Sequence, residues 1–317
     1  MVEALELDEV PEHLFVIGGG YIGLELSQAM RRFGSRVTII DRNDRPMHRE
    51  DDDVTEALQS IFQDDGIEFV LNATVKSISG TSGKSVKLVI RQRGVEKTLE
   101  GSHLLVAAGR SPNTNGIGLE LAGVELTDGG YIKVNERLET TASGVWAIGE
   151  VAGSPQFTHV SADDFRVVYD SITGGKRVTT GRLVPFCLFT DPEFARVGLS
   201  EKEAKAQGIA YRLFKIPMEA VMRASTLSET QGFLKALVEA DGDRVLGFAG
   251  FGVGAGEILS SAQIAMIAGL PYTILRDALL THRPLWRALF RCSPPCRRYQ
   301  NQPLRKASPL WQLSTSA

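Results

Sequence analysis

The apolar residues Leu14 to Ile17 form a short unbroken run, and glycines at 18, 20 and 23 follow at once in G-x-G-x-x-G spacing. From Tyr21 to Phe33 the apolar positions Ile22, Leu26, Ala29, Met30 and Phe33 recur three and four apart, which predicts a helix with one buried face and a stop at Gly34. A β-branched run from Val37 to Ile40 ends in Asp41. Strand, tight turn, helix and second strand make a βαβ unit, so the fold class at this end is α/β. Val54, Leu58, Ile61 and Phe62 predict a second helix to about Asp65, and Ile67 to Leu71 a third strand. Val75 to Ser79, Val86 to Arg91 and Val95 to Leu99 alternate between turn glycines, which predicts an antiparallel meander. His103 to Ala107 reads as a further buried strand, ending at A-A-G-R-S-P-N.

Glycines in this register have a physical use. The first makes the turn, the second lets backbone approach a pyrophosphate, and the third lets helix pack on strand. The phosphates then lie at a helix N-terminus, where unpaired N–H groups and the dipole favour negative charge. Asp41 lies about twenty residues on, where a carboxylate accepts from a ribose 2′-hydroxyl. The candidate coenzyme site is therefore Gly18, Gly19, Gly20, Tyr21, Ile22, Gly23, Asp41 and Arg42. Asp41 favours NADH over NADPH; Arg42, Arg45 and Arg49 stand close enough in sequence to accept a 2′-phosphate instead.

Composition narrows the classes. At 317 residues and 43% hydrophobic content the chain can bury two or three domain cores. A formal net charge of −3 speaks against nucleic acid or an anionic membrane as partner. Lacking a long apolar run or a signal-peptide pattern, the sequence predicts a cytoplasmic protein. Cys187, Cys292 and Cys296 make neither a disulfide framework nor a zinc spacing. Cys187 sits in the apolar run Val184 to Phe189 and reads as a small buried hydrophobe. His13, His48 and His103 stand alone in sequence, and no metal site is indicated.

Three motifs in order, G-G-G-Y-I-G-L-E, then A-A-G-R-S-P-N, then G-V-W-A-I-G-E-V-A-G over 144–153, resemble the class I pyridine nucleotide-disulfide oxidoreductases. Val184 to Gly198, Gly232 to Gly254 and the helical pattern Glu257 to Ala268 resemble that family's dimerisation domain. The resemblance covers roughly residues 10 to 282, with mercuric reductase and dihydrolipoamide dehydrogenase types nearest. It implies a Rossmann-like NAD(P)-binding domain (1–105), the C-terminal part of a second Rossmann-like, FAD-binding domain (106–181), an α+β dimerisation domain (182–282) and an anomalous tail (283–317). It also implies FAD and NAD(P)H as cofactors, a homodimer, and a small-molecule or metal-ion electron acceptor. Under it Tyr21 is a movable lid over the nicotinamide and Glu25 lies near the carboxamide. Gly109, Arg110, Gly149 and Glu150 contribute to the flavin site, with Glu150 delivered by a short strand where the family carries Asp. A helix over His159 to Val168 would aim its N-terminus at the flavin ring.

The resemblance also sets expectations of absence. The sequence starts where the family's nicotinamide domain starts, without the preceding FAD segment and its redox cysteine pair. Reading Gly18 to Gly23 as the FAD motif itself would call for a cysteine pair within about forty residues, and none follows. His282 stands where the family places a catalytic base, but Arg283 and Pro284 replace the expected Pro-Thr, and Arg287 replaces the orienting acid. Residues 283–317 hold two of the three tryptophans, five of thirteen prolines and no acid, as an out-of-frame translation would. A basic tail for an acidic partner is the alternative. The functional expectation is an incomplete FAD-dependent NAD(P)H oxidoreductase; a non-catalytic dinucleotide-binding dimer and an inactive gene fragment are its rivals.

Overall fold

In a computed structural model, which describes residues 4, 6–279 and 297–299, the first apolar run forms strand β1 (His13–Ile17) with its centre fully buried. Helix α1 (Tyr21–Arg32) and strand β2 (Arg36–Ile40) complete the βαβ unit, with β2 parallel to β1 and Ile17 opposite Ile40. Helix α2 (Asp52–Asp64) leads to β3 (Glu68–Val70), parallel to β2. Strand β7 (His103–Val106) joins the other side of β1, so the parallel sheet runs β3-β2-β1-β7. The predicted meander is β4 (Ala73–Thr81), β5 (Ser85–Gln92) and β6 (Val95–Gly101), antiparallel throughout. Phe15 and Ile40 share a core with Val86, Leu88 and Ile90 of β5, which seats the meander against the parallel sheet.

Two expectations about burial need correction. Strand β7 lies at the sheet edge and leaves Val106 64% exposed, so it is not a buried strand. On α1 the buried face is Gly23, Leu24, Ser27, Gln28 and Met30, whereas Ile22 and Phe33 are exposed. The reason is steric. A Cβ at Gly23 would stand 2.0 Å from the Gly18 carbonyl oxygen, so the helix approaches the turn on its small-residue face and turns the larger side chains away.

The segment from 107 to 157 contains short 3-10 turns and the isolated bridges Leu126↔Ile132, Val134↔Thr140 and Glu139↔Trp146, around a small core of Val124, Ile132 and Ala147. Helix α3 (Thr158–Ile172) follows; it buries Val160, Asp164 and Val167 and exposes Phe165, Tyr169 and Ile172.

The C-terminal sheet is antiparallel, built from β8 (Phe186–Leu188), β9 (Glu193–Gly198), β10 (Tyr211–Pro217), β11 (Phe233–Glu239), β12 (Val245–Gly252) and β13 (Arg297–Tyr299). Its order is β13-β10-β11-β12-β9-β8. Helix α4 (Glu201–Ala206) opens with a capping box between Ser200 and Glu203. The short helix α5 is Met222–Leu227, α6 is Ala255–Ile267 and α7 is Tyr272–Asp277. Cys187 is half-buried rather than buried, because β8 is the last strand of the sheet. By contacts the chain divides into two units, Met1–Pro46 with Phe62–Val184, and Met47–Ile61 with Pro185–Ala317.

Within the second unit, Lys235 on β11 is fully buried, and its Nζ lies 2.8 Å from Asp51, 2.8 Å from Asp53 and 3.2 Å from Glu201. These three carboxylates are close enough together to hold a metal ion, but the ammonium already stands among them. Asp51 also accepts from the backbone N–H groups of Glu201 and Lys202, and Lys215 pairs with Asp53 at 2.6 Å. Burial, the largest influence, pushes the Asp53 carboxyl up; Lys235 and Lys215 outweigh it and hold it below the usual carboxylate range. Burial likewise pushes the Lys235 ammonium down, and Asp51 and Asp53 reverse that, leaving it raised.

Candidate dinucleotide site

The glycine turn stands at the C-terminal end of β1 and opens α1, the position where ligands bind in sheets of this kind. Gly18 has φ +109°, and a Cβ there would meet the Ala107 carbonyl oxygen at 2.5 Å. The end of β7 therefore presses directly on the turn, held by Ala107 N–H donating to the Ile17 carbonyl at 2.8 Å. Gly20 is different: a Cβ there would meet nothing within 4 Å. Gly20 is the N-cap of α1, supplies no side-chain hydrogen bond, and no acid occupies the first helical turn. Open space at Gly20 thus adjoins the positive end of a 12-residue helix that has no side-chain cap.

Asp41, 9% exposed, closes the other side. Its Oδ2 accepts the Gly19 N–H at 2.6 Å, and its Oδ1 accepts both the backbone N–H and the side-chain Nδ2 of Asn43 at 2.8 Å. The acid is fixed beside the turn by three donors. Arg42 is exposed beside it, and Arg45 pairs with Asp44 at 3.4 Å. These residues fit a dinucleotide: an uncapped helix end, backbone open at Gly20 and a held carboxylate twenty residues on.

Tyr21 and Glu25 lie half-buried in the opening turns of α1. The Tyr21 ring meets Phe157 edge-on at 5.6 Å, and Phe157 stacks on His159 at 5.2 Å. Phe157 is the N-cap of α3, again without a side-chain cap or an acid in the first turn. The tyrosine contact therefore sets the N-termini of α1 and α3 side by side, two positive helix ends within one unit.

The 144–153 stretch departs from expectation. Trp146 makes one isolated bridge, and Gly149–Ala152 is a 3-10 turn, so no strand delivers Glu150. Its carboxylate pairs with Arg110 at 3.2 Å, joining two of the expected flavin-site residues. Gly109 has φ +110° and room around it. Gly149 N–H donates to Asp164 Oδ2 at 2.7 Å, and Arg182 Nη1 donates to the other oxygen of Asp164 at 2.6 Å. Asp164, wholly buried, thereby ties the turn to α3. His282 lies outside the described residues, as do Arg287, Cys292 and Cys296.

The sequence reading missed Asn43, Phe157, Asp164 and Arg182. A charged residue at a buried helical position was the available signal for Asp164; the others gave none, since each acts through a partner distant in sequence or through a loop.

The family model described as pyridine nucleotide-disulphide oxidoreductase matches residues 1–164, just over half of the chain, and the model of that family's dimerisation domain matches 184–289. The chain belongs to the pyridine nucleotide-disulphide oxidoreductase family. It is 38% identical over 287 residues to the probable pyridine nucleotide-disulfide oxidoreductase RclA of Escherichia coli, covering 90% of this chain and 64% of that protein. The structure of that protein, described as an HOCl-induced flavoprotein disulfide reductase, superposes with a TM-score of 0.82 at 38% identity, covering 90% of this chain and 65% of that one. Dihydrolipoyl dehydrogenase of Staphylococcus aureus is 36% identical, over 84% of this chain and 57% of its own length. Mercuric reductase from the same organism is also 36% identical, over 87% of this chain and 50% of its own length. The chain thus spans less than two thirds of each relative. Family membership implies FAD and NAD(P)H as the cofactors. Among the described residues no helix is long and apolar enough to cross a membrane.

Proposed function

We propose that this chain is the nicotinamide-coenzyme-binding and dimerising part of a flavin-dependent oxidoreductase, with NADH as reductant. The observation that carries the reading is the open backbone at Gly20 on an uncapped helix end, with Asp41 held beside it. When bound, the coenzyme supplies a hydride, FAD accepts it, and the electrons pass to a thiol, disulfide or metal-ion acceptor. In this reading the α1 N–H groups hold the diphosphate, and Asp41 takes the adenosine ribose. Tyr21, braced by Phe157, covers the path between the two helix ends, and Glu25 lies one turn further along α1. The α3 N-terminus then favours negative charge near the acceptor ring.

Functional parts are assigned as 1–105 for the coenzyme, 106–181 for the flavin and 182–282 for dimerisation, with His282 as acid–base group beyond the described residues. A cytoplasmic homodimer completes the reading; the match to the dimerisation-domain model supports the dimer. A second reading, a dinucleotide-binding dimer without turnover, draws support from the Glu150–Arg110 pair, which occupies the carboxylate that flavin would need. Flavin separates the two. Protein that carries FAD and bleaches on addition of NADH supports the oxidoreductase; colourless protein that quenches or enhances NADH fluorescence supports the binding module. Failure to bind NADH at all overturns both.

A further inference from the structure

Asn43 has entered so far only as a donor to Asp41, yet among the described residues its side chain is the one that hydrogen-bonds that acid. The Asp41 carboxylate accepts three hydrogen bonds, and two of them come from Asn43, through backbone N–H and Nδ2, both to Oδ1 at 2.8 Å. The third, from Gly19 N–H at 2.6 Å, links the acid to the turn itself. Gly19 is not one of the three spacing glycines, but a Cβ there would stand 3.1 Å from Asp41 Oδ2 and 3.4 Å from Pro46 Cα. Asn43 is held in turn, because its carbonyl accepts the Asn72 N–H at 2.9 Å and Asp41's own carbonyl accepts from Ala73 at 2.9 Å. The loop after β2 is therefore pinned on both sides of the acid.

We propose that Asn43 is the positioning residue that makes this site select a dinucleotide with a free adenosine 2′-hydroxyl, NADH, over its 2′-phosphorylated form. The proposal rests on the coenzyme reading of the glycine turn. Two donors saturate Oδ1 and prevent the carboxylate from turning away, so the remaining acceptor capacity stays on Oδ2, beside the glycine turn. A ribose hydroxyl can donate to that oxygen. A 2′-phosphate is mostly dianionic at neutral pH and would meet a held negative charge that is 9% exposed and poorly screened. Removing the Asn43 amide takes away the one side-chain donor and leaves Asp41 on two backbone N–H groups, so its carboxylate is held less firmly against a 2′-phosphate that the exposed Arg42 next to it can meet.

The test uses the 317-residue chain and reads the dissociation constants of NADH and NADPH by coenzyme fluorescence. The unsubstituted chain is expected to prefer NADH. Asn43→Ala should weaken NADH by about 5-fold, less than the full worth of a hydrogen bond to a charged group because two backbone donors still hold Asp41, and lower the NADH-to-NADPH preference by at least that factor. Asn43→Leu, which fills the space without a donor, should give the same change in preference and covers the case in which the alanine variant folds poorly. In an Asp41→Ala background Asn43→Ala should leave the preference unchanged, because it acts through the acid. Equal weakening of both coenzymes, or an undiminished effect without Asp41, overturns the proposal while leaving the coenzyme reading intact. A parent chain that binds neither coenzyme overturns both.

Discussion

At the scale of single residues the glycine turn separates two uses of a missing side chain. Gly23 is needed by the fold: a Cβ there would stand 2.0 Å from the Gly18 carbonyl oxygen, which is main chain and cannot move aside. Gly23→Ala should therefore lower stability by about 1–3 kcal/mol, read as a drop in melting temperature by circular dichroism. Packing does not require a glycine at 20, since a Cβ there meets nothing within 4 Å and the residue's φ of −92° suits alanine; in the proposed reading only the ligand does. Gly20→Ala should leave melting unchanged within about 0.5 kcal/mol and weaken NADH binding at least tenfold. Equal melting loss in the two variants would show that the open side of the turn is not a binding face. The spacing of these glycines was legible in the sequence because the turn is local. Asn43 was not, since an asparagine in a loop after a strand reads as ordinary turn chemistry until its distance to Asp41 is known.

At the scale of elements, the hydrophobic period gave the existence of α1 and α2, the resemblance gave that of α3 and α6, and the period misjudged which side of α1 is buried. Counting apolar positions selected Ile22 and Phe33, whereas packing selected the small residues Gly23 and Ser27. The β9 to β12 core conceals an ionic cluster that the apolar pattern hid: Lys235 lies in a strand buried at six of its seven positions. Removing one partner of such a cluster leaves buried carboxylates opposed to each other. Lys235→Met should lower stability at pH 7 by about 3–5 kcal/mol, measured by denaturant unfolding.

The pH dependence carries signs. Asp53 titrates below its ordinary value when folded, so its contribution is present above the unfolded-state value and is lost as pH falls through the folded one. Lys235 titrates above its ordinary value, so its contribution is complete below the unfolded value and is lost as pH rises through the folded one. Glu50 runs the other way from Asp53: burial raises its carboxyl despite Arg196 at 2.9 Å, so its ionisation costs stability as pH climbs past the ordinary carboxylate range. The gap between the parent and Lys235→Met should accordingly narrow in acid, as the unpaired carboxylates of the variant take up protons. A gap that stays constant from neutral pH into acid would mean the lysine acts by packing alone.

At the scale of the whole molecule, nicotinamide coenzyme and flavin make unequal demands on this chain. In the proposed reading the turn at Gly18–Gly23 serves the nicotinamide coenzyme and the stretches at 109–110 and 149–150 serve FAD, where Glu150 is already paired with Arg110. Each charge-assisted hydrogen bond not made costs flavin about 1.5–3 kcal/mol, so the purified 317-residue polypeptide should hold well under one FAD per chain while still binding NADH. Flavin absorbance per chain after gel filtration checks this, and stoichiometric retention would refute it. The exposed face of α3, Phe165, Tyr169 and Ile172, should also promote self-association, visible as concentration-dependent light scattering.

The sequence by itself determined the βαβ unit, the place of the glycine turn and the meander, because each follows from residues near one another along the chain, and the family, because its motifs are each short and local. Tertiary structure alone decided that Asp41 is held by Asn43, that Glu150 is paired rather than presented by a strand, that Phe157 brings two helix ends together, and that a buried lysine stands among three acids. The last three depend on distances between segments far apart in sequence and the first on the path of a loop two residues long, and periodicity carries no information about which side chains meet in either case.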